Sequence, residues 1–158
     1  MHKNKTQSYP QNQLMTDHQI LERASEIIAS KFIAGDEFTD AKTTKEYLTF
    51  KLGHHESEVF ALMFLNSQHQ LIEYNEMFHG TIDSASVYPR EVLKVALSVN
   101  ASAVILGHNH PSGSSVPSNA DKRITKRLVD ALGLIDVRVL DHVVVGKTAF
   151  SFAEKGLL

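Results

Sequence analysis

Residues 102–121 read SAVILGHNHPSGSSVPSNAD, and this stretch decides the fold. Its first part, Ser102 to Gly107, is an apolar run with the length of a buried strand. A loop rich in Pro, Ser and Gly follows, and a helix is predicted from about Asn119 to Leu132, with Gly133 marking its end. A buried strand that leads into an amphipathic helix indicates a β-sheet covered by helices.

The segments on either side extend this pattern. Further strands are predicted at Val59–Leu65, Leu71–Phe78, Asp136–Val145 and Thr148–Phe152, the last two joined by a hairpin-like turn at Gly146-Lys147. Further helices are predicted from Asp17 to just before Gly35, from Asp40 to Leu52 before Gly53, and from Pro89 to Val99. The order α-α-β-β-α-β-α-β-β contains both hairpins and helical crossovers. The predicted fold class is therefore α/β (α+β), a mixed β-sheet flanked by helices.

A length of 158 residues with 42% hydrophobic residues fits one compact domain. We expect a disordered polar tail over 1–15, a helical lead-in over 16–38 and the main domain over 39–158. The strand Val59–Leu65 is apolar at every position, which predicts helices on both faces of the sheet. In the lead-in, helical spacing predicts an apolar face made of Ile20, Leu21, Ala24, Ile27 and Ile28.

The chain contains no cysteine and nine histidines. It therefore cannot form a disulfide framework, a thiolate zinc site, an iron–sulfur cluster or a cysteine nucleophile. A zinc nucleobase deaminase is excluded for the same reason, since its ligands include cysteines. Any tightly bound metal must be held by imidazole and carboxylate, a ligand set that suits a catalytic site.

The charge balance and the apolar runs restrict the partners. A formal net charge of -2 disfavours direct nucleic-acid binding. No apolar run reaches the length that spans a membrane, and the polar residues at the start predict no secretory signal. We therefore expect a cytoplasmic protein.

His108 and His110 follow the apolar strand two residues apart, so in extended chain their side chains project to the same side. Two imidazoles can face one ion, and Asp121 in the first turn of the next helix can supply a third ligand. Three protein ligands leave a fourth position open for water, as in catalytic zinc sites. A second interpretation is a capping box, in which Ser118 caps the helix and Asp121 returns the hydrogen bond. Both interpretations use the same first turn and are compatible.

From about Thr39 to Leu158 the chain resembles the RadC-like branch of the JAMM (MPN-domain) metalloproteases. The resemblance is carried by residues 80–92 (GTIDSASVYPREV), 108–113 (HNHPSG), 117–121 (PSNAD), 140–146 (LDHVVVG) and 151–156 (SFAEKG). It implies an MPN-like single domain. Longer RadC proteins carry an N-terminal helix-hairpin-helix region, and this chain resembles the short members.

The resemblance also implies roles for individual residues. His108, His110 and Asp121 match the zinc ligands of the family, and Ser118 matches the serine that supports the tetrahedral intermediate. Glu58, directly before an apolar strand, fits the glutamate that acts as general base, with Glu56 as the nearby competitor. The implied activity is zinc-dependent hydrolysis of a peptide or isopeptide bond in a peptide or protein substrate.

Other interpretations stay open at this point. A non-enzymatic DNA-repair or recombination accessory protein is the alternative function. An HNH nuclease is disfavoured, because the residues that name it are dispersed through its fold rather than adjacent. Asp141 and His142 in a late strand could support the metal site or serve only the sheet.

Overall fold

The computed structural model describes residues 14–33, 40–81 and 86–158. The helices in these segments are α1 (Asp17–Ile33), α2 (Ala41–Leu52), α3 (Pro89–Ser98) and α4 (Asn119–Gly133), and the strands are β1 (Val59–Leu65), β2 (Leu71–His79), β3 (Ala103–Asn109), β4 (Arg138–Val145) and β5 (Ala149–Ser151). The order of elements agrees with the prediction. Most of the expected tail, 1–13, and the expected end of the first helix at Gly35 lie outside the described residues.

The strands form one mixed sheet in the order β2-β1-β3-β4-β5. β1 pairs antiparallel with β2 and with β3, and β4 pairs antiparallel with β5. β3 and β4 are parallel, and α4 forms the crossover between them. A parallel pair requires such a crossover, because a tight turn joins only antiparallel strands. The predicted class, a mixed sheet flanked by helices, is confirmed.

The sheet separates two hydrophobic layers, and β1 contributes to both. Ala61 and Met63 pack with α2 residues such as Leu48 on one face, whereas Phe60 and Leu62 pack on the other face with residues of α3 and α4. Every residue of β1 is buried, because successive side chains point to opposite covered faces. The prediction that this strand is covered on both faces is confirmed.

The apolar face predicted for α1 is only partly buried. Ile28 packs against the core, but Ile20 and Ile27 are exposed, and Ser25 is fully buried. The cause is position, since α1 contacts α2 and the edge strand β2 at the margin of the layer. A helix at the margin buries a narrower stripe than one that lies over the centre of a sheet.

β3 extends two residues beyond its predicted end at Gly107. Its partner β4 continues alongside, pairing His108 with Val144 and Asn109 with Val145, so the polar residues keep backbone partners. The expectation that both histidines follow the strand is therefore wrong for His108, which lies inside it. β4 begins later than predicted, because Asp136 has a positive φ of 59° in the turn after α4.

Candidate metal centre

The C-terminal end of β3 and the first turn of α4 lie next to each other. His108 is buried near the end of β3, and the N–H of His110 donates to the carbonyl of Val145 at 2.8 Å, which keeps the chain extended beyond the strand. Asp121 lies in the first turn of α4 and is also buried. Ligand atoms of His108, His110 and Asp121 all lie within 4.8 Å of one another. The three residues that the sequence pattern joined are therefore together in the fold.

The donor atoms have the spacing that a tetrahedral metal requires. Nε2 of His108 lies 2.9 Å from Nε2 of His110 and 3.1 Å from Oδ1 of Asp121, and Nε2 of His110 lies 3.3 Å from Oδ2 of Asp121. Ligand atoms bound to one tetrahedral zinc at its usual bond lengths are about 3.3 Å apart. The observed separations fit such an ion with small adjustments.

The hydrogen bond of His110 also fits a metal ligand. Its Nδ1 lies 2.8 Å from the carbonyl oxygen of Ser114, and a carbonyl can only accept, so Nδ1 carries the proton. Nε2 of a neutral His110 then presents a lone pair toward His108 and Asp121. Lone pairs and a carboxylate that converge in a buried place repel one another unless a cation lies between them. The donor set therefore suits a cation.

Asp121 is held as a carboxylate. Burial by itself would raise its pKa, but the His108 ring beside it and the hydrogen bonding of Ser118 hold that pKa well below its usual range. Ionised carboxylate is the form that binds a metal.

Ser118 and Asp121 form the capping box that the spacing predicted. The hydroxyl oxygen of Ser118 accepts from the N–H of Asp121 at 3.1 Å, and Oδ2 of Asp121 accepts from the N–H of Ser118 at 2.6 Å. The other carboxylate oxygen, Oδ1, is the atom that lies near His108. Capping therefore leaves Oδ1 of Asp121 available to the candidate metal centre.

Glu58 lies directly before β1 and is half-buried, whereas Glu56 is exposed. The register pairs Phe60 with His108, and Glu58 precedes Phe60 by two residues at the same end of the sheet where His110 follows His108 by two residues. Asn109 fixes this edge, since its side-chain oxygen accepts from the N–H of Val59 at 2.7 Å. The position fits the expected base, and the role of Glu58 stays a prediction.

The loop after His110 is tied to the hairpin between β4 and β5. The N–H of Lys147 donates to the carbonyl of Gly113 at 2.8 Å, and the N–H of Gly113 donates to the carbonyl of His110 at 2.9 Å. A Cβ at Gly146 would collide with the backbone of Gly113, so only glycine allows this close approach. These contacts hold Ser114 where its carbonyl meets His110.

Sequence reasoning left the role of His142 open between supporting the metal site and serving only the sheet. Its Nε2 lies 2.8 Å from Nδ1 of His108, and its Nδ1 lies 2.6 Å from the hydroxyl oxygen of Thr125. Burial lowers the pKa of His142 well below its usual value, so the ring is neutral at neutral pH. Asp141 turns the other way and accepts from the hydroxyl of Ser151 at 2.6 Å. A histidine directly before three consecutive valines in a buried stretch of strand was the signal that could have identified His142.

The fold and the site define a domain in which the ends of a central sheet and a capped helix hold a candidate metal centre. The family model that matches, over residues 38–157, is the RadC-like JAB domain. The chain belongs to this family. The match includes all the residues of the candidate metal centre.

The similar proteins come from bacteria and carry names that state no activity. A UPF0758 protein of Vibrio cholerae is 57% identical over 154 residues, which cover 98% of each chain. A UPF0758 protein of Saccharophagus degradans is 56% identical over 138 residues, 87% of this chain and 62% of that protein. One of Cellvibrio japonicus is 54% identical over 140 residues, 88% of this chain and 62% of that protein.

Among the helices that the structure describes, none combines the length and the apolar character needed to cross a bilayer.

Proposed function

We propose that the protein is a zinc-dependent peptidase that hydrolyses a peptide or isopeptide bond in a peptide or protein substrate. The observation that carries this proposal is the convergence of two imidazole nitrogens and one carboxylate on a single buried point. Imidazole nitrogen with a carboxylate favours zinc over magnesium or calcium, which prefer oxygen ligands alone.

His108, His110 and Asp121 would hold the metal. A zinc ion bound by three protein ligands activates a water at its open position and polarises a carbonyl. One side of the centre is open, since the side chain of His110 is 14% exposed whereas those of His108 and Asp121 are nearly fully buried. A substrate carbonyl can therefore approach from the side of His110.

Glu58 is proposed as the general base. It would accept the proton of the attacking water and deliver it to the nitrogen of the leaving amine, which cannot depart as an anion. Its place in the chain supports this role, because Glu58 directly precedes β1 at the end of the sheet where β1 pairs with His108.

Ser118 is proposed as the donor to the developing oxyanion. Its oxygen already accepts from the N–H of Asp121, so the cap uses a lone pair and leaves the hydroxyl proton available. The residue is exposed at the start of α4, where a substrate can reach it. A hydroxyl aimed at the oxyanion stabilises the transition state more than the bound substrate, and this difference lowers the activation barrier.

The test compares Glu58→Gln with Glu56→Gln, which removes the same charge two residues away at an exposed position. Purified protein should contain about one zinc per chain, and the cleavage of a peptide library should identify a substrate. We expect E58Q to keep its zinc and to lose hydrolysis by about 10²–10⁴-fold, which is the usual contribution of a general base. E56Q should behave as the wild type.

His108→Ala and Asp121→Ala should lose zinc and hydrolysis together. A wild-type protein that binds no zinc would contradict the proposed metal. An E58Q variant with unchanged hydrolysis would contradict the proposed base. DNA binding that depends on salt and persists in H108A, without peptide hydrolysis, would favour the accessory function instead.

A further inference from the structure

A chain of hydrogen bonds joins one candidate ligand to another through residues outside the metal centre. Nδ1 of His108 contacts Nε2 of His142 at 2.8 Å, and Nδ1 of His142 contacts Oγ1 of Thr125 at 2.6 Å. Oγ1 of Thr125 then donates to the backbone carbonyl of Asp121 at 2.6 Å. We call His108, His142, Thr125 and the carbonyl of Asp121 the histidine relay.

The carbonyl at its end fixes the direction of the relay. A carbonyl only accepts, so the single hydroxyl proton of Thr125 goes to Asp121, and its oxygen must accept from Nδ1–H of His142. A neutral His142 with its proton on Nδ1 has a lone pair on Nε2, which accepts from Nδ1–H of His108. His108 is thereby left with an unprotonated Nε2.

The opposite direction fails at the same carbonyl. If Nε2 of His142 carried the proton, Nδ1 would take the hydroxyl proton of Thr125, and two oxygens would face each other at 2.6 Å with no proton between them. Two oxygens this close repel each other unless a proton lies between them. His108 would also carry its proton on Nε2, the atom that points to His110 and Asp121.

We propose that His142 and Thr125 are positioning residues that keep Nε2 of His108 unprotonated and ready to bind a metal, an inference that rests on the proposed zinc site. The relay begins on one ligand and ends on the backbone of another, so it also fixes the distance between β3 and the first turn of α4. Aromatic rings surround His142, with Phe152 stacked at 4.7 Å between centroids and Phe60 edge-on at 5.6 Å. Since His142 is fully buried, solvent does not compete for its ring nitrogens.

The experiment compares Thr125→Val with Thr44→Val. Both threonines are buried in helices and donate to the carbonyl four residues earlier, Thr125 to Asp121 and Thr44 to Asp40, but Thr44 lies in α2 away from the relay. Zinc affinity is measured by competition with a chelator. We expect T125V to bind zinc about 10–100-fold more weakly, the usual effect of removing a group that orients a ligand. T44V leaves Thr125 in place, and T125S keeps a hydroxyl at this position, so both variants should bind zinc as tightly as the wild type.

Nitrogen-15 spectra of the histidine rings give a readout that needs no metal. In the metal-free wild type, His108 and His142 should both carry the proton on Nδ1. In T125V the proton of His108 should move in part to Nε2, because the hydroxyl that sets the direction is gone.

The two proposals can fail separately. T125V with the zinc affinity of the wild type, or a wild-type His108 protonated on Nε2, overturns the relay. A wild type that binds no zinc overturns the proposed function, and its ring spectra still decide the direction of the relay. The spectra of the wild type keep the test valid even if T125V does not fold.

Discussion

Gly107 sets the distance between α2 and β3 one residue before His108. A Cβ built at Gly107 would lie 3.0 Å from both terminal methyl carbons of Leu48 and 3.3 Å from one of Leu52. Ordinary van der Waals contact begins near 3.4 Å, so an alanine would require Leu48 to move by about 0.4 Å. Leu48 and Leu52 are fully buried against Tyr47, so no open space receives the displaced side chain.

We therefore expect Gly107→Ala to lower the free energy of unfolding by about 1–3 kcal/mol, the usual cost of adding a methyl group to a filled core. Gly133→Ala is the matched control, because nothing lies within 4 Å of a Cβ there and the residue is helical. G133A should raise the stability by about 0.4–1 kcal/mol through the lower entropy of its unfolded chain. The assay is urea unfolding followed by circular dichroism. G107A as stable as the wild type would refute the argument that α2 approaches too closely for a side chain.

Two further predictions concern the core. Leu128→Ala removes a fully buried side chain from the layer under α4 and should lower the free energy of unfolding in urea by about 2–5 kcal/mol. Val129→Ala, at the next and more exposed position, should change it by less than about 0.5 kcal/mol. Equal effects of the two substitutions would contradict the assigned face of α4. Burial raises the pKa of Tyr47 well above its usual value, so the folded state keeps a proton that the unfolded state releases, and stability should fall as the pH rises above about 10. Tyr47→Phe should weaken this decline and Tyr88→Phe, at an exposed position, should not; identical pH profiles for both variants would be the contrary result.

Local patterns predicted most of the fold because the signals lie close together in the sequence. The helix predicted from Asp40 with a stop at Gly53 matches α2, in which Asp40 is the cap that accepts from the N–H of Lys42 and Gly53 follows the last residue. The capping box of Ser118 and Asp121 was recognisable from a spacing of three residues. Each of these features depends on one helical turn, and no knowledge of the tertiary structure is needed to find it.

Features that depend on a distant strand were not predictable in the same way. His108 and its neighbour Asn109 are polar and follow a glycine, a pattern that is typical of the start of a loop. They belong to β3 because β4 runs beside them and supplies their backbone partners. His142 gained its contact with His108 because β3 and β4 are parallel and in a register that pairs Leu106 with His142. Sequence periodicity gives the face of a strand but not its partner or register.

The candidate metal centre is a continuation of one hydrophobic layer rather than a separate attachment to it. Along β3, Val104 and Leu106 belong to the core under α4, and His108 follows on the same face with the period of two that a strand imposes.

The helix α4 repeats this arrangement. Asp121 and Thr125 begin the buried stripe that Leu128 and Leu132 continue toward the other end, at the spacing of successive helical turns. The packing that stabilises the layer therefore also sets the distance between the imidazole of His108 and the carboxylate of Asp121. Because the carboxyl ends of parallel strands and the start of the following helix meet at one edge, a ligand site at this place needs no elements beyond those that build the core.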